Sequence, residues 1–159
     1  MSLPRFMIAA PASGSGKTLV TCGLLQALVD RGLKVASFKC GPDYIDPMFH
    51  SRAIGTRSKN LDAYFVEEPV LRYLFGRTAE TVDISVVEGV MGLYDGRTGA
   101  GETGSTAQVA GLLDAPVILV VDAAAQGRSI AALVHGFRSF GSVRMAGVIL
   151  NRVGSDRHE

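Results

Sequence analysis

Cysteine is scarce in this chain. There are two in 159 residues, Cys22 and Cys40, with neither metal-ligand spacing nor the numbers for a disulfide framework. A cystine-stapled secreted scaffold is thereby excluded, and a reducing, cytoplasmic setting is expected. Charge is scarce and balanced as well: charged residues make up 19% and the net charge is +1, so no nucleic-acid partner is expected. Any phosphate chemistry must come from charges gathered locally. No apolar run approaches the ~20 residues that span a bilayer, so no membrane partner is expected either. The N-terminus carries no secretory pattern. Internal repeats and a clear linker are also lacking. With 47% hydrophobic residues, the chain reads as a single globular domain over residues 1–159.

What is present is organised around Ala9-Ala10-Pro11-Ala12-Ser13-Gly14-Ser15-Gly16-Lys17-Thr18. This stretch joins an apolar run at residues 6–10 to a helical pattern that starts at Lys17. A strand that turns through small residues into a helix makes a phosphate cradle. Its backbone N–H groups point inward, and the helix N-terminus adds about half a positive charge. Gly14 and Gly16 let the backbone approach the phosphates. Lys17 reaches the β- and γ-phosphates, and Thr18 offers its hydroxyl to Mg²⁺. Ser13, Gly14, Ser15, Gly16, Lys17 and Thr18 are therefore expected to bind nucleotide. One part of the usual G-x-x-x-x-G-K-[ST] pattern is missing, because Pro11 stands where the first glycine belongs.

Strands are expected at residues 5–10, 33–39, 84–87, 117–121 and 144–150. Helices are expected at 17–31, 69–75, 105–113 and 129–140. The first helix is apolar around much of its circumference and should pack tightly before stopping at Gly32. Ser105-Thr106-Ala107-Gln108 has capping-box spacing. Residues 51–68 break the pattern and read as an excursion on the ligand side. His50 has no partner in view and reads as structural, and residues 99–104 read as a mobile, glycine-rich loop. The alternation predicts an α/β fold, a three-layer α/β/α P-loop NTPase architecture with a mostly parallel central sheet. Ligands bind such sheets beyond the carboxyl ends of the strands.

The polar groups that follow the expected strands gather at that edge. Lys39-Cys40-Gly41-Pro42-Asp43-Tyr44-Ile45-Asp46-Pro47 follows the second strand, and Glu88-Gly89-Val90-Met91-Gly92-Leu93-Tyr94-Asp95-Gly96 the third. Asp122 and Asn151 end the last two. Acids beside a triphosphate repel it by ~4 kcal/mol per close pair at an effective dielectric of ~20. Either they face away or they hold Mg²⁺, which takes oxygen ligands. Glu88 and Asp122 are rivals for that role on these grounds, and the residues alone do not separate them.

The phosphate loop, the Phe38-Lys39-Cys40-Gly41-Pro42-Asp43-Tyr44-Ile45-Asp46-Pro47 run, the Glu88 motif, Gly104-Ser105-Thr106-Ala107 and Gly147-Val148-Ile149-Leu150-Asn151-Arg152-Val153 together closely resemble the cobyrinic acid a,c-diamide synthases. The likeness covers their N-terminal, dethiobiotin synthetase-like P-loop domain, and Pro11 agrees with it. The resemblance implies ATP- and Mg²⁺-dependent amidation of the a and c carboxylates of a corrin precursor in cobalamin biosynthesis. Each carboxylate is phosphorylated to an acyl phosphate, from which ammonia displaces phosphate. It implies that Lys17 and Lys39 face the phosphates, with Asp46 as a third catalytic residue. Thr18, Asp43 and Glu88 would belong to the metal site. Tyr44, Asp46 and Asp95 would bind the tetrapyrrole carboxylate, and Asn151 would read the adenine edge. Asp122 becomes supporting or structural. The family's C-terminal glutaminase, which supplies the ammonia, is expected to be absent from this chain, which then reads as truncated; a homodimer is a further expectation. The alternatives are a diamide synthase for another tetrapyrrole such as nickel sirohydrochlorin, a partitioning or regulatory ATPase, and a binding module without catalysis. Ala12, standing where partitioning ATPases carry an extra lysine, argues against the second.

Overall fold

The computed structural model describes residues 3–43, 45–97 and 101–154. The chain runs β1 (Arg5–Ala9), α1 (Lys17–Asp30), β2 (Val35–Cys40), α2 (Ile45–Phe49), a wide π-helical turn (His50–Ile54), β3 (Arg57–Leu61) and α3 (Glu68–Ala79). It continues through β4 (Ile84–Glu88), α4 (Thr106–Leu113), β5 (Val117–Asp122), α5 (Ser129–Phe140) and β6 (Met145–Asn151). The strands form one sheet in the order β3-β2-β4-β1-β5-β6. Every pairing is parallel. Strand order reverses around β1, so the loop that follows it opens into the crevice where such sheets bind ligands.

Alternation along the strands feeds two cores. Met7 and Ala9 pack with Leu71 and Phe75 of α3, Val109 and Leu113 of α4, and Ile130 of α5. Ile8 points the other way, to Leu25, Val20, Leu24 and Leu28 of α1. The result is the expected three-layer α/β/α arrangement. Strand β2 is buried along its whole length, and its Phe38 ring lies 5.0 Å from that of Phe75. Burying a side chain of that kind stabilises the fold by about 1.5–3 kcal/mol.

Three expectations need correction. The sheet has a strand more than the five expected, because Arg57–Leu61 pairs with β2 inside what reads from sequence as an excursion. Its residues, Arg-Ser-Lys-Asn-Leu, are polar because the strand lies at the sheet edge, where exposed Arg57 and Lys59 discourage further pairing. Helix α3 runs to Ala79, a turn past the expected end at residue 75. Helix α1 is not packed all round: Lys17, Thr21 and Leu25 are buried, but Leu19 is 74% exposed. Gly32 does follow its end in the left-handed region, and its N–H donates to Val29 O. Half of the expected α4 capping box forms: Ser105 Oγ accepts from Gln108 N–H at 3.0 Å, but Gln108 Oε1 accepts at 2.7 Å from Gly104 N–H, one residue before the cap, while Ser105 N–H donates to Glu102 O. Of residues 99–104, Gly99 and Ala100 lie outside the described residues.

Candidate nucleotide and metal site

The loop after β1 delivers the chain into α1 through Gly16, whose φ of 96° only glycine adopts without strain. No side chain caps the first turn of α1, so its N–H groups are open to an anion. A Cβ on Gly16 would also collide with the Asn151 carboxamide. That carboxamide holds the loop from the end of β6, with Nδ2 donating to Ser15 O at 3.0 Å. Ser15 Oγ closes the loop on Ala12 O at 2.9 Å. The Lys17 ammonium is buried and donates to Met91 O at 2.6 Å. Met91 stands in the left-handed region, with φ of 48°, a conformation uncommon outside glycine, and so turns its carbonyl onto Lys17. Burial, and then the charge of Lys39, hold the Lys17 pKa below its ordinary value.

Beside the loop lies a cluster of charges. Lys39 and Glu88 are register partners at the ends of β2 and β4. Fully buried Glu88 accepts through Oε1 from Thr18 Oγ1 at 2.7 Å and from Lys39 Nζ at 2.8 Å. Lys39 Nζ also lies 2.7 Å from Asp46 Oδ2 and 3.9 Å from Asp43 Oδ2. Asp46 Oδ2 accepts from Thr18 Oγ1 at 3.3 Å as well. Burial pulls the Lys39 pKa down, but Glu88 and Asp46 outweigh it and hold the group above its ordinary value. For Asp46, burial is likewise overcome by Lys39, and the carboxyl sits below the usual range. His50 is buried too, with Nε2 3.8 Å from Glu88 Oε2. Burial holds its pKa below the ordinary value despite the nearby acids.

Other groups shape the rim. Thr106 Oγ1 exchanges hydrogen bonds of 2.9 Å with the N–H and C=O of Val90, fastening the loop after Glu88 to α4. Asp95 Oδ2 accepts from Gly92 N–H at 3.0 Å. A Cβ on Gly92 would meet Asp95 and, at 2.6 Å, Pro11 O, so this loop rests directly on the phosphate loop. Asp43 Oδ1 accepts from Ile45 N–H at 2.9 Å, ahead of α2. Asn60 Nδ2 donates to Gly41 O at 2.8 Å and to Asp43 O at 2.5 Å, holding the turn that carries Asp43. Tyr44 lies outside the described residues. Thr18, Lys39, Asp43, Asp46 and Glu88 therefore come together, with Asp95 on the adjoining loop. Asp122 does not join them: it pairs with Arg152 at 2.6 Å and accepts from Ala124 N–H at 2.9 Å. Sequence reasoning missed the parts played by His50, Asn60, Met91 and Thr106. Of these, Thr106 and Met91 lie inside motifs visible in the sequence.

The residues fit a nucleotide and a hard cation. A hollow of about 380 Å³ is lined by Ser13, Gly14, Gly16, Lys17, Thr18, Lys39, Asp43, Asp46 and Gly89, so loop, lysines and acids share one space. The oxygen donors of Thr18, Asp43 and Glu88 are of the kind magnesium takes. Among the described residues, no three His, Cys, Asp or Glu side chains gather to hold a metal by themselves.

The chain is 60% identical over 159 residues to the hydrogenobyrinate a,c-diamide synthase of Streptomyces coelicolor, a match covering 99% of this chain and 33% of that protein. It is 54% identical over 153 residues to the cobyrinate a,c-diamide synthase of Gloeobacter violaceus, covering 96% of this chain and 34% of that protein. The chain thus spans about a third of the length of the curated relatives it matches. Among solved structures, the signal recognition particle receptor FtsY from Elizabethkingia anophelis shares the fold with a TM-score of 0.68 at 16% identity, over 94% of this chain and 50% of that one. The signal recognition particle 54 kDa protein of Aeropyrum pernix, in complex with GDP, does so with a TM-score of 0.60 at 18% identity, over 98% of this chain and 37% of that one. No helix among the described residues is long and apolar enough to cross a membrane. Residues 6–159 match the family described as CobQ/CobB/MinD/ParA nucleotide binding domain, and with its phosphate loop in place on a parallel sheet the chain belongs to that family.

Proposed function

We propose that this domain binds ATP with Mg²⁺ and phosphorylates the a and c carboxylates of a corrin-type ring, each acyl phosphate then passing to ammonia to give an amide. The observation that carries the reading is Lys39, held between Glu88 and Asp46 at the mouth of the Lys17-bearing loop. Two lysines are thereby available to an incoming carboxylate and a phosphate that repel each other. The names of the relatives, which specify a,c-diamide synthesis on hydrogenobyrinate and cobyrinate, support the choice of ring.

In this reading Lys17 and Lys39 bring the reacting anions together by charge, which is positioning and electrostatic stabilisation rather than covalent catalysis by the protein. Thr18, Glu88 and Asp43 would hold the magnesium, which when bound would supply positive charge beside the phosphates. Asp46 and Asp95, with Tyr44, orient the carboxylate. Asn151 spends its amide N–H on Ser15 and keeps its carbonyl oxygen as an acceptor for the adenine edge. Ammonia comes from a glutaminase domain, for which the greater part of the relatives' length leaves room, and the reaction runs in the cytoplasm.

The test is ATP turnover by the full-length protein with ammonium chloride and, in turn, hydrogenobyrinic acid, cobyrinic acid and nickel sirohydrochlorin. ADP release that depends on one of the first two rings, with matching amide formation by mass spectrometry, supports the reading. Turnover indifferent to all three rings overturns it.

A further inference from the structure

Two buried polar groups face each other inside the charge cluster without a hydrogen bond. Glu88 uses only Oε1 for Thr18 and Lys39, and its Oε2 has no partner among the described residues. Both ring nitrogens of His50 lack partners as well. Both side chains are fully buried, and Nε2 lies 3.8 Å from Oε2. That separation leaves no room for a bridging water, yet it exceeds a direct hydrogen bond by only about 0.8 Å. Orphaned groups in a buried setting are costly, and a sub-ångström closure pairs Glu88 Oε2 with His50 Nε2, leaving His50 Nδ1 as the one ring nitrogen still without a partner among the described residues.

The backbone around His50 is built to hold the ring in this place. His50 O accepts from Thr56 N–H at 3.2 Å and from Thr56 Oγ1 at 3.1 Å. Thr56 is tied in turn to Ser37 of β2, oxygen to oxygen, at 3.2 Å. Asp46 and His50 stand four residues apart on one continuous helical segment, so both reach the cluster from the same face.

We propose that His50 is a positioning residue for Glu88, with its Nε2–H donating to Glu88 Oε2. The carboxylate is then fixed from both sides, and Oε1 stays turned toward Thr18 and the phosphate loop. Because one segment carries both Asp46 and His50, movement of the turn after β2 is felt directly by Glu88. The inference rests on the reading of Glu88 as the acid that meets the magnesium of bound nucleotide. A hydrogen-bonding partner behind such a ligand affects metal affinity about 10–100-fold.

The test uses the full-length protein with His50→Phe, His50→Leu, His50→Gln and Glu88→Gln, alone and combined. Calorimetry reads the MgCl₂ concentration needed for half-maximal tightening of ATP binding. His50→Phe and His50→Leu should each raise it about 10-fold, with ATP binding in EDTA unchanged. His50→Gln, whose amide Nε2 reaches the same point, should restore it to within about threefold, and neither apolar variant should add to the effect of Glu88→Gln. Independently of nucleotide, proton NMR should show a slowly exchanging downfield imidazole N–H that is absent in His50→Gln and displaced in Glu88→Gln. No such resonance, equal effects of Gln and the apolar residues, or additivity with Glu88→Gln overturns the proposal. A resonance that behaves as expected while Glu88→Gln leaves the MgCl₂ dependence untouched upholds the His50–Glu88 bond and overturns the metal reading instead.

Discussion

Thr18 and Glu88, seventy residues apart in sequence, share a hydrogen bond of 2.7 Å. It joins the first turn of α1 to the end of β4 across the mouth of the phosphate loop. Thr18 belongs to the part of the loop that is recognisable from spacing alone; Glu88 does not. Their contact makes the loop and the charge cluster one site, and each prediction below tests a part of it.

Replacing Lys17 by alanine should weaken ATP binding at least about 10-fold and leave the fold intact. On the proposed reading the ammonium would give bound phosphate a charged hydrogen bond, of the kind worth about 1.5–3 kcal/mol. In the structure it is held ready by Met91 O. Calorimetry with ATP, beside circular dichroism of the variant, checks this; unchanged affinity together with unchanged turnover is the contrary outcome.

Asn151→Ala should reduce the preference for ATP over GTP more than it reduces binding of inorganic triphosphate. Its Nδ2 is engaged with Ser15 O, so some general loosening of the loop is expected. The loss specific to adenine should be about 1 kcal/mol, the worth of one ordinary hydrogen bond. Competition assays with ATP, GTP and triphosphate separate the two effects. An intact base preference removes Asn151 from the adenine site and leaves it as a loop brace.

Asp46→Asn should cost about 1 kcal/mol of stability near neutral pH, discounted for the partial exposure of the pair. The folded-state pKa of Asp46 is depressed below 3.8, so its contribution is fully present above that value and is lost as pH falls through the lower, folded one. Lys39 behaves in the opposite sense: its folded pKa lies above 10.5, so its contribution is complete below that value and fades as pH rises through the folded one. The gap between wild type and Asp46→Asn should therefore be constant across neutral pH, begin to narrow near pH 3.8 and close as pH falls through the lower, folded value. Thermal melts at pH 7 and at steps downward from pH 3.8 read it; a gap that does not narrow as pH falls below 3.8 contradicts the pairing.

Much of this was legible in the sequence, for identifiable reasons. The interior strands β1, β4 and β5 are short, mostly apolar runs, and the phosphate loop has fixed spacing; both signals are local. Strand β3 was illegible because an edge strand needs no apolar face, and Arg-Ser-Lys-Asn-Leu has none. The placement of His50 was illegible because its meaning lies in Glu88, brought beside it by the sheet. The same holds for Asn60, whose side chain reads as a turn former but grips the carbonyls of Gly41 and Asp43 from the neighbouring strand. Asp122 and Glu88 look alike in sequence, each an acid ending an apolar strand. The family resemblance separates them, and their three-dimensional neighbours differ in the same sense: Arg152 for one and Thr18 with Lys39 for the other.

That separation gives the most demanding prediction: Glu88→Gln should cost far more activity than Asp122→Asn. Asp122 spends its oxygens on Arg152 and on the N–H of Ala124. An amide oxygen replaces part of that, so turnover should stay within about threefold, in line with the small worth of exposed ion pairs. Glu88 is fully buried and directed at Thr18 and Lys39. Glutamine keeps its shape but removes the negative charge that magnesium requires. Charge that develops during phosphoryl transfer then goes uncompensated, and turnover should fall at least about 100-fold, equivalent to ~2.7 kcal/mol of transition-state stabilisation. The MgCl₂ concentration for half-maximal activity should rise with it. A purely structural loss would instead lower the yield of folded protein and leave the magnesium dependence of the surviving fraction unchanged. Steady-state turnover of both variants in the full-length protein, across a MgCl₂ titration, decides the matter. A dead Asp122 variant beside a near-normal Glu88 variant would transfer the metal to the other side of the phosphate loop.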